Sequence, residues 1–155
     1  MAPYVKGEPR YQVPRELADS LAFRSLPTAA KNLWHDLMMQ YRGNNNGNIN
    51  AALSELVHFN WRSGTTIAKG LRYLIGHGLI KETRMGGKRA GNLKQCCLYA
   101  FTHLPIHDNP KLGIQGNAAT YGYRNFDPKK CLVAKNLTLQ KMECVAPITG
   151  ACRPR

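Results

Sequence analysis

Apolar side chains recur at helical spacing over residues 27–41, where Ala30, Leu33 and Leu37 lie three and four positions apart. This period is typical of an amphipathic helix that buries one face. Pro27 suits an early helical position, because its fixed φ angle is compatible with the first turn. The run of Asn and Gly at positions 43–48 ends this first predicted helix. We favour the structural interpretation of that run as a tight turn. A role of its polar side chains in recognition stays open.

Two further helices are expected before residue 79. A short strand is predicted around Ile49, and residues 51–57 form a second helix with Asn50 as its N-cap. A turn follows, and Ser63 or Thr65 can cap a third helix that ends at glycines 76 and 78. Gly70 within the third helix permits close approach of a neighbouring helix.

A β-hairpin is predicted after the third helix. Residues 79–84 alternate as a strand does, residues 85–92 form a basic glycine-rich loop, and residues 95–102 are β-rich and return. Three helices followed by such a hairpin define an α+β fold, a winged helix-turn-helix, over residues 24–106. Residues 1–23 are expected to be an irregular arm with a short helix around 15–21, and residues 107–155 a basic, loosely structured tail. The expected core consists of Leu33, Leu37, Leu53, Leu56, Ile67, Leu71, Leu74, Ile80 and Leu98.

The charge balance narrows the partners. The chain has 22 Lys and Arg against 9 Asp and Glu, a net charge of +13. Such an excess attracts nucleic acid first, then anionic membrane surfaces and acidic proteins. Because no apolar run of about 20 residues and no secretory signal is present, we expect a cytoplasmic protein without a membrane partner. The five cysteines are then expected to be thiols.

The candidate nucleic-acid-binding residues lie on the elements that a winged helix presents to DNA. Hydroxyls and cations there can contact phosphates or base edges, and glycines let a hairpin tip enter a groove. Ser63 and Thr65 have helix capping as their simpler role, Tyr73 can be a half-buried helix residue, and the hairpin tip can be a disordered basic loop. The third helix and its preceding turn supply Arg62, Ser63, Thr65, Thr66, Lys69, Arg72 and Tyr73, and the hairpin supplies Arg84, Lys88, Arg89 and Lys94.

Catalytic and metal-binding patterns are weak. The histidines are scattered, Pro105 separates His103 from His107, and no CxxC pair accompanies the adjacent Cys96 and Cys97. One of these two cysteines is better interpreted as a small core residue. The few acidic residues form no metal cluster, and no phosphate-binding GxxxxGK[ST] loop occurs. We therefore expect a protein that is not an enzyme and holds neither a cofactor nor a metal.

Residues 23–107 resemble small helix-turn-helix proteins of bacterial phages and prophages. The resemblance rests on FRSLPTAAKNLWHDLMMQYRGNNNGNI, WRSGTTIAKGLRYLIGHGLIKETRMGG and LYAFTHLPI. These segments are also similar, more distantly, to the N-terminal DNA-binding domain of phage replication O-type initiators. The resemblance implies a winged helix and a role on a mobile element in a bacterial host. The missing helicase-recruiting part of an initiator favours a stand-alone regulator or accessory protein.

The sequence alone leaves two functional hypotheses open, and they belong to different classes. The first is a transcriptional regulator or replication accessory factor that binds duplex DNA through the third helix and the hairpin. The second is a small basic inhibitor that uses a winged helix to dock on a host protein or nucleoprotein complex. The target sequence, the choice between DNA and RNA, and the formation of a homodimer stay open.

Overall fold

The computed structural model describes residues 12–88 and 94–128, with the backbone alone at Lys88 and Lys94. Within these ranges the protein is an α+β structure with five α-helices, a three-stranded antiparallel sheet and a two-stranded ribbon. The centre of the predicted hairpin loop and residues 129–155 of the predicted tail lie outside the described residues. None of the helices in these ranges is long and apolar enough to cross a membrane.

The arm before the predicted domain is helical where it is described. Helix α1 spans Arg15–Asp19 and α2 spans Leu21–Arg24. Ser20 joins them, because its hydroxyl donates to the Leu17 carbonyl at 2.6 Å and accepts from the Phe23 N–H at 3.2 Å. Leu17 is fully buried in the main core. The short helix predicted here is confirmed. Helix α2 adds helical structure up to Arg24 that was not predicted, whereas residues 12–14 have no regular secondary structure, as expected.

Helix α3 spans Thr28–Met38 and buries the apolar stripe expected for the first predicted helix. It starts one residue later than predicted, because Pro27 has an extended backbone (ψ 148°) and stands at the N-cap rather than inside the helix. It ends earlier, because the N–H groups of Gln40 and Tyr41 bond three residues back, to Leu37 and Met38. Such bonds tighten and close a last turn.

Helix α4 is short and α5 is long. Helix α4 spans Leu53–Leu56, continues as a 3-10 turn over Val57–Phe59, and stops at Asn60, whose φ is +65°. Helix α5 spans Gly64–Gly76. Asn50 does not cap α4; its side-chain oxygen accepts instead from the Ala52 N–H at 2.9 Å, and Ala52 occupies the N-cap position.

The three-stranded sheet consists of β1 (Ile49–Asn50), β2 (Ile80–Arg84) and β5 (Leu98–Phe101). Its strand order is β1-β5-β2. Strands β3 (Gly87–Lys88) and β4 (Lys94–Gln95) pair as a separate ribbon beyond β2 and β5. The predicted return strand is therefore interrupted at Cys96 and Cys97. The pairing of β2 with β5 also shifts register between Glu82 and Arg84.

Strand β5 is buried on both faces. Tyr99 and Phe101 belong to the main core with helices α3 and α5, whereas Leu98 and Ala100 join a second cluster with Ile106 and Ile114. Because successive side chains of a strand point to opposite faces, the helices cover one face of the sheet and residues 106–114 cover the other. This second layer corrects the prediction of a loosely structured tail, as far as residue 128.

The chain after the second layer returns to the helices. The N–H groups of Thr120 and Tyr121 both bond to the Thr102 carbonyl at 2.9 Å. Tyr123 is buried in the main core, and Phe126 stacks on the His77 ring with 4.3 Å between ring centroids. We call residues 119–126 the strap.

The predicted core holds for most of its members. Leu33, Leu37, Leu56, Ile67, Leu74 and Ile80 are buried in the main cluster. Three members differ: Leu53 is 40 % exposed, Leu71 is half-buried, and Leu98 lies in the second cluster.

Candidate nucleic-acid interface

Helix α5 has one polar face and one apolar face. Ile67, Gly70 and Leu74 are buried, and Gly70 faces Leu33 of α3 so closely that a Cβ atom there would lie 2.7 Å from Leu33 Cδ2. This contact with α3 confirms the predicted close approach of a neighbouring helix at Gly70. The opposite face is exposed, with Thr65, Lys69 and Arg72 at intervals of four and three residues. These spacings place the three side chains in one row along the helix.

The start of α5 is capped by Ser63. Its hydroxyl accepts from the Thr66 N–H at 3.4 Å, whereas Thr65 lies inside the first turn. Of the two predicted caps, Ser63 is therefore the one used. The side chains of Arg62, Thr65 and Thr66 are exposed around this N-terminus. Free backbone N–H groups and the helix dipole make such an end attractive to anions.

Trp61 fixes the turn before α5, and the sequence analysis missed it. Its indole N–H donates to Asp36 Oδ2 on α3 at 2.6 Å, and its backbone N–H bonds to the Leu56 carbonyl at 3.2 Å. The turn is thus tied to both preceding helices. Two features of the sequence could have indicated this contact: a Trp directly before the polar start of a helix, and an Asp on the polar side of the first predicted helix.

Tyr73 is not part of the exposed row on α5. It is half-buried against the main core, and its ring lies 6.1 Å from that of His77 near the end of the helix. This matches the alternative of a half-buried helix residue.

The hairpin places its predicted residues differently. The backbones of Lys88 and Lys94 pair across the ribbon, and Arg89 lies outside the described residues. Arg84 is half-buried, and its guanidinium donates back to the Cys96 carbonyl at 3.3 Å, while its Nε is buried without a partner among the described residues. Arg84 therefore braces the base of the hairpin instead of extending from it.

Gly86 and Cys97 close the base of the hairpin. The Gly86 N–H donates to Cys97 Sγ at 3.1 Å, and a Cβ atom at Gly86 would lie 2.9 Å from the Cys97 nitrogen. Cys96 is exposed and Cys97 half-buried against the core, as expected for a cysteine with a packing role. Burial raises the pKa of the Cys97 thiol, and the nearby Glu82 raises it further. The thiol therefore stays protonated at neutral pH.

The cations of α5 carry unneutralised charge. Between described residues, ion pairs form only from Arg15 to Asp19 and from Arg124 to Glu16. Arg62, Lys69 and Arg72 take part in neither pair. An exposed row of unpaired cations beside a helix N-terminus attracts phosphates.

The Asn-rich stretch is a structural turn. Asn46 is 2 % exposed, its amide N–H₂ donates to the carbonyls of Phe101, Leu104 and Pro105, and its oxygen accepts from the Phe101 N–H at 2.8 Å. Asn45 bonds to the backbones of Gln40 and Arg42. The favoured interpretation as a turn is confirmed for these two residues.

His103 is a buried titratable group whose pKa is strongly shifted. Its ring is buried beside Trp34 and Phe101, and neither ring nitrogen has a hydrogen-bond partner there. Burial disfavours the charged ring and lowers the pKa of His103 to about 4. The described part of the chain contains no group of three His, Cys, Asp or Glu side chains arranged to hold a metal.

Comparisons with known proteins identify no relative of this chain. No protein-family model matches the chain, and neither the curated proteins nor the solved structures contain a match.

Proposed function

We propose that this chain is a winged helix-turn-helix protein that binds nucleic acid, preferably duplex DNA, through helix α5 and the hairpin. The order of elements from α3 to β5 supports this fold, since a helix, a strand, two helices, a strand, a hairpin loop and a returning strand follow one another. The sheet order β1-β5-β2 agrees with it, because the first strand then pairs with the strand that returns from the hairpin.

The single observation that carries the proposal is the row of exposed, unpaired residues on α5. Lys69 and Arg72 stand one turn apart, with Thr65 nearer the capped N-terminus. In a helix-turn-helix, the early part of the second helix meets the major groove. Hydroxyls and cations at these positions can contact both phosphates and base edges. A role as a transcriptional regulator or replication accessory factor of a phage or prophage is the biological form that we propose.

A titration with short duplexes tests this proposal. The double variant Lys69→Ala/Arg72→Ala should bind a random duplex at least about tenfold more weakly at low salt, and its plot of log affinity against log salt should flatten by about two units. The matched control is Arg24→Ala/Lys31→Ala, which removes the same charge from α2 and α3. Fluorescence anisotropy at about 50 and 200 mM salt measures both.

Equal losses in the two double variants would show a nonspecific effect of net charge and contradict the role of α5. Negligible duplex affinity of the unmodified protein at low salt would favour the second function, docking on a host protein. A specific observation supports that alternative: Leu53, Val57 and Phe59 expose 40 %, 53 % and 38 % of their surface on and after α4. Apolar side chains that cluster at a surface are typical of protein interfaces.

A further inference from the structure

A polar cleft of about 440 Å³ opens between the Asn-rich loop and the layer that covers the sheet. It lies beyond the face of the sheet opposite α5, because its wall residue Ile114 packs on the Leu98 and Ala100 side. Its lining consists of Asn44, Asn45, Asn46, Asn48, His107, Asp108, Asn109 and Ile114. The cleft is therefore separate from the interface proposed above.

Several polar groups in the cleft have no partner among the described residues. The side-chain amides of Asn44, Asn48 and Asn109 form no hydrogen bond there, and neither does the His107 ring. Asp108 accepts from the Gly116 N–H through Oδ1 at 3.1 Å, which leaves Oδ2 available. The cleft thus offers three neutral amides, each of which can donate and accept.

The frame around these amides is fixed. Asn46 ties the loop to the end of β5 through four hydrogen bonds. Thr83 Oγ1 donates to the Gly47 carbonyl at 2.6 Å, and Gly47 packs so tightly that a Cβ atom would lie 3.1 Å from Ile106. A ligand would therefore meet a preformed site and would lose little binding free energy to ordering the loop.

The chemistry of the lining selects the ligand. Asp108 is the only formally charged lining residue at neutral pH, so an anion inside the cleft is disfavoured. The lining residues include one aromatic ring, the His107 imidazole. Asparagine amides pair with the donor and acceptor edge of a nucleobase, and the exposed His107 imidazole offers a ring on which a planar base can stack.

We propose that this cleft binds an unpaired nucleobase by its hydrogen-bonding edge. The base can belong to a free nucleoside or to a single strand. A strand would also place its phosphates near two exposed cations, Arg42, which precedes the first lining segment, and Lys111, which follows Asn109 in the second. This site does not depend on duplex binding by α5.

The test uses the full ¹⁵N-labelled chain with three probes. These are the four neutral nucleosides, a single-stranded hexanucleotide, and an abasic phosphodiester strand of the same length. We expect nucleosides to shift the side-chain amide signals of Asn44, Asn48 and Asn109. The double variant Asn44→Ala/Asn48→Ala should bind the hexanucleotide about tenfold more weakly and bind the abasic strand unchanged. The matched control is Gln115→Ala/Asn125→Ala, which removes two exposed amides outside the cleft.

The outcomes separate the possibilities. A hexanucleotide that binds more tightly than any nucleoside identifies a strand as the source, and equal affinity identifies a free nucleoside. Unshifted cleft amides with every probe would overturn the proposal, as would equal loss of abasic-strand affinity in the cleft variant. Because the replaced amides form no internal bonds, the variant should melt like the unmodified protein. Duplex binding by the same variant reports separately on α5.

Discussion

At the scale of single residues, the buried polar groups separate into satisfied and unsatisfied ones. Asn46 is satisfied, because its amide N–H₂ donates to three backbone carbonyls and its oxygen accepts from the Phe101 N–H near the end of β5. His103, only a few residues further along the chain from that point, is buried with no partner among the described residues. Since an unpaired buried group is costly, especially when charged, His103 should govern stability in acid.

Stability should fall between pH 6.5 and 4 because of His103. Burial lowers its pKa from 6.5 to about 4, so the unfolded chain binds this proton more tightly than the folded protein does. Protonation therefore favours the unfolded state as the pH drops through this window, by about 2 kcal/mol between pH 7 and pH 4.5. Urea unfolding at the two pH values measures the effect, and His103→Phe, which keeps an aromatic ring beside Trp34, should reduce it.

The exposed His107 serves as a control for that measurement, because His107→Phe should keep the full dependence on pH. A dependence that is identical in the unmodified protein and in His103→Phe would contradict the assignment. The carboxylate of Glu16, whose hydrogen bond with Arg124 lowers its pKa, is present in all three proteins. Its contribution therefore cancels in the comparison.

Gly78→Ala should be strongly destabilising. Gly78 has a φ of +69°, and a Cβ atom would lie 2.6 Å from the backbone of Gly122 in the strap. Left-handed strain and a backbone collision together should cost about 3 kcal/mol or more. Gly64→Ala is the control, because a Cβ atom at Gly64 meets nothing within 4 Å and alanine favours a helix. Thermal melts in which both variants match the unmodified protein would refute the close contact of Gly78 and Gly122.

At the scale of elements, the apolar period of the sequence predicted the elements whose burial depends on such a period. Helices α3 and α5 carry stripes long enough to be recognised. The buried face of α3 agrees with the prediction, whereas α5 buries Ile67 and Leu74 but leaves Leu71 half-buried. Helix α4 was predicted too long, because the left-handed Asn60 and the 3-10 turn depend on local backbone geometry that no apolar pattern reveals. Among the candidate binding residues, exposure on α5 followed from the helical period. The inward turn of Arg84 did not, since it depends on the carbonyl of Cys96 across the hairpin.

The sequence analysis underestimated how well the segment after β5 is packed, and the reason is physical. Its buried residues, Ile106, Ile114 and Tyr123, are isolated among polar neighbours, so they form no period. The signal lay instead in β5 itself. Its unbroken run Leu98–Phe101 indicates a strand that is covered on both faces. An outer layer was therefore needed, and residues 106–114 supply it.

Truncation after Asp108 should abolish cooperative folding, contrary to what a loosely structured tail would imply. The cut removes Ile114 from the outer layer, Tyr123 from the main core, and the bonds from Thr120 and Tyr121 to Thr102. In the full chain, Ile114→Ala should cost about 2–4 kcal/mol, as removal of a large buried side chain does. Circular dichroism melts measure both effects. A sharp melt of the truncated protein at an unchanged temperature would show that the layer is dispensable.

At the scale of the whole molecule, the strap links parts of the chain that are distant in sequence. Arg124 reaches Glu16 of α1 with a two-pronged ion pair at 2.6 and 2.8 Å, and Phe126 stacks on His77 at the end of α5. Because the ion pair is exposed, its own contribution to stability is small. These contacts matter for geometry, because they hold α1, the strap and the end of α5 together. The orientation of the proposed recognition helix therefore depends on residues outside the proposed helix-turn-helix.

The hairpin cations should differ in what they contribute to binding. If α5 and the hairpin contact one duplex, Lys88→Ala/Arg89→Ala should weaken all sequences alike and flatten the dependence on salt by roughly one unit per lost phosphate contact. Arg84→Ala should leave that slope unchanged and lower the melting temperature, because Arg84 bonds to the Cys96 carbonyl at the base of the hairpin. Anisotropy titrations at several salt concentrations, paired with melts, separate the two effects. A slope that flattens equally in Arg84→Ala would mean that this guanidinium leaves its internal bond to contact phosphate. A slope unaffected by Lys88→Ala/Arg89→Ala would restrict the duplex contact to α5.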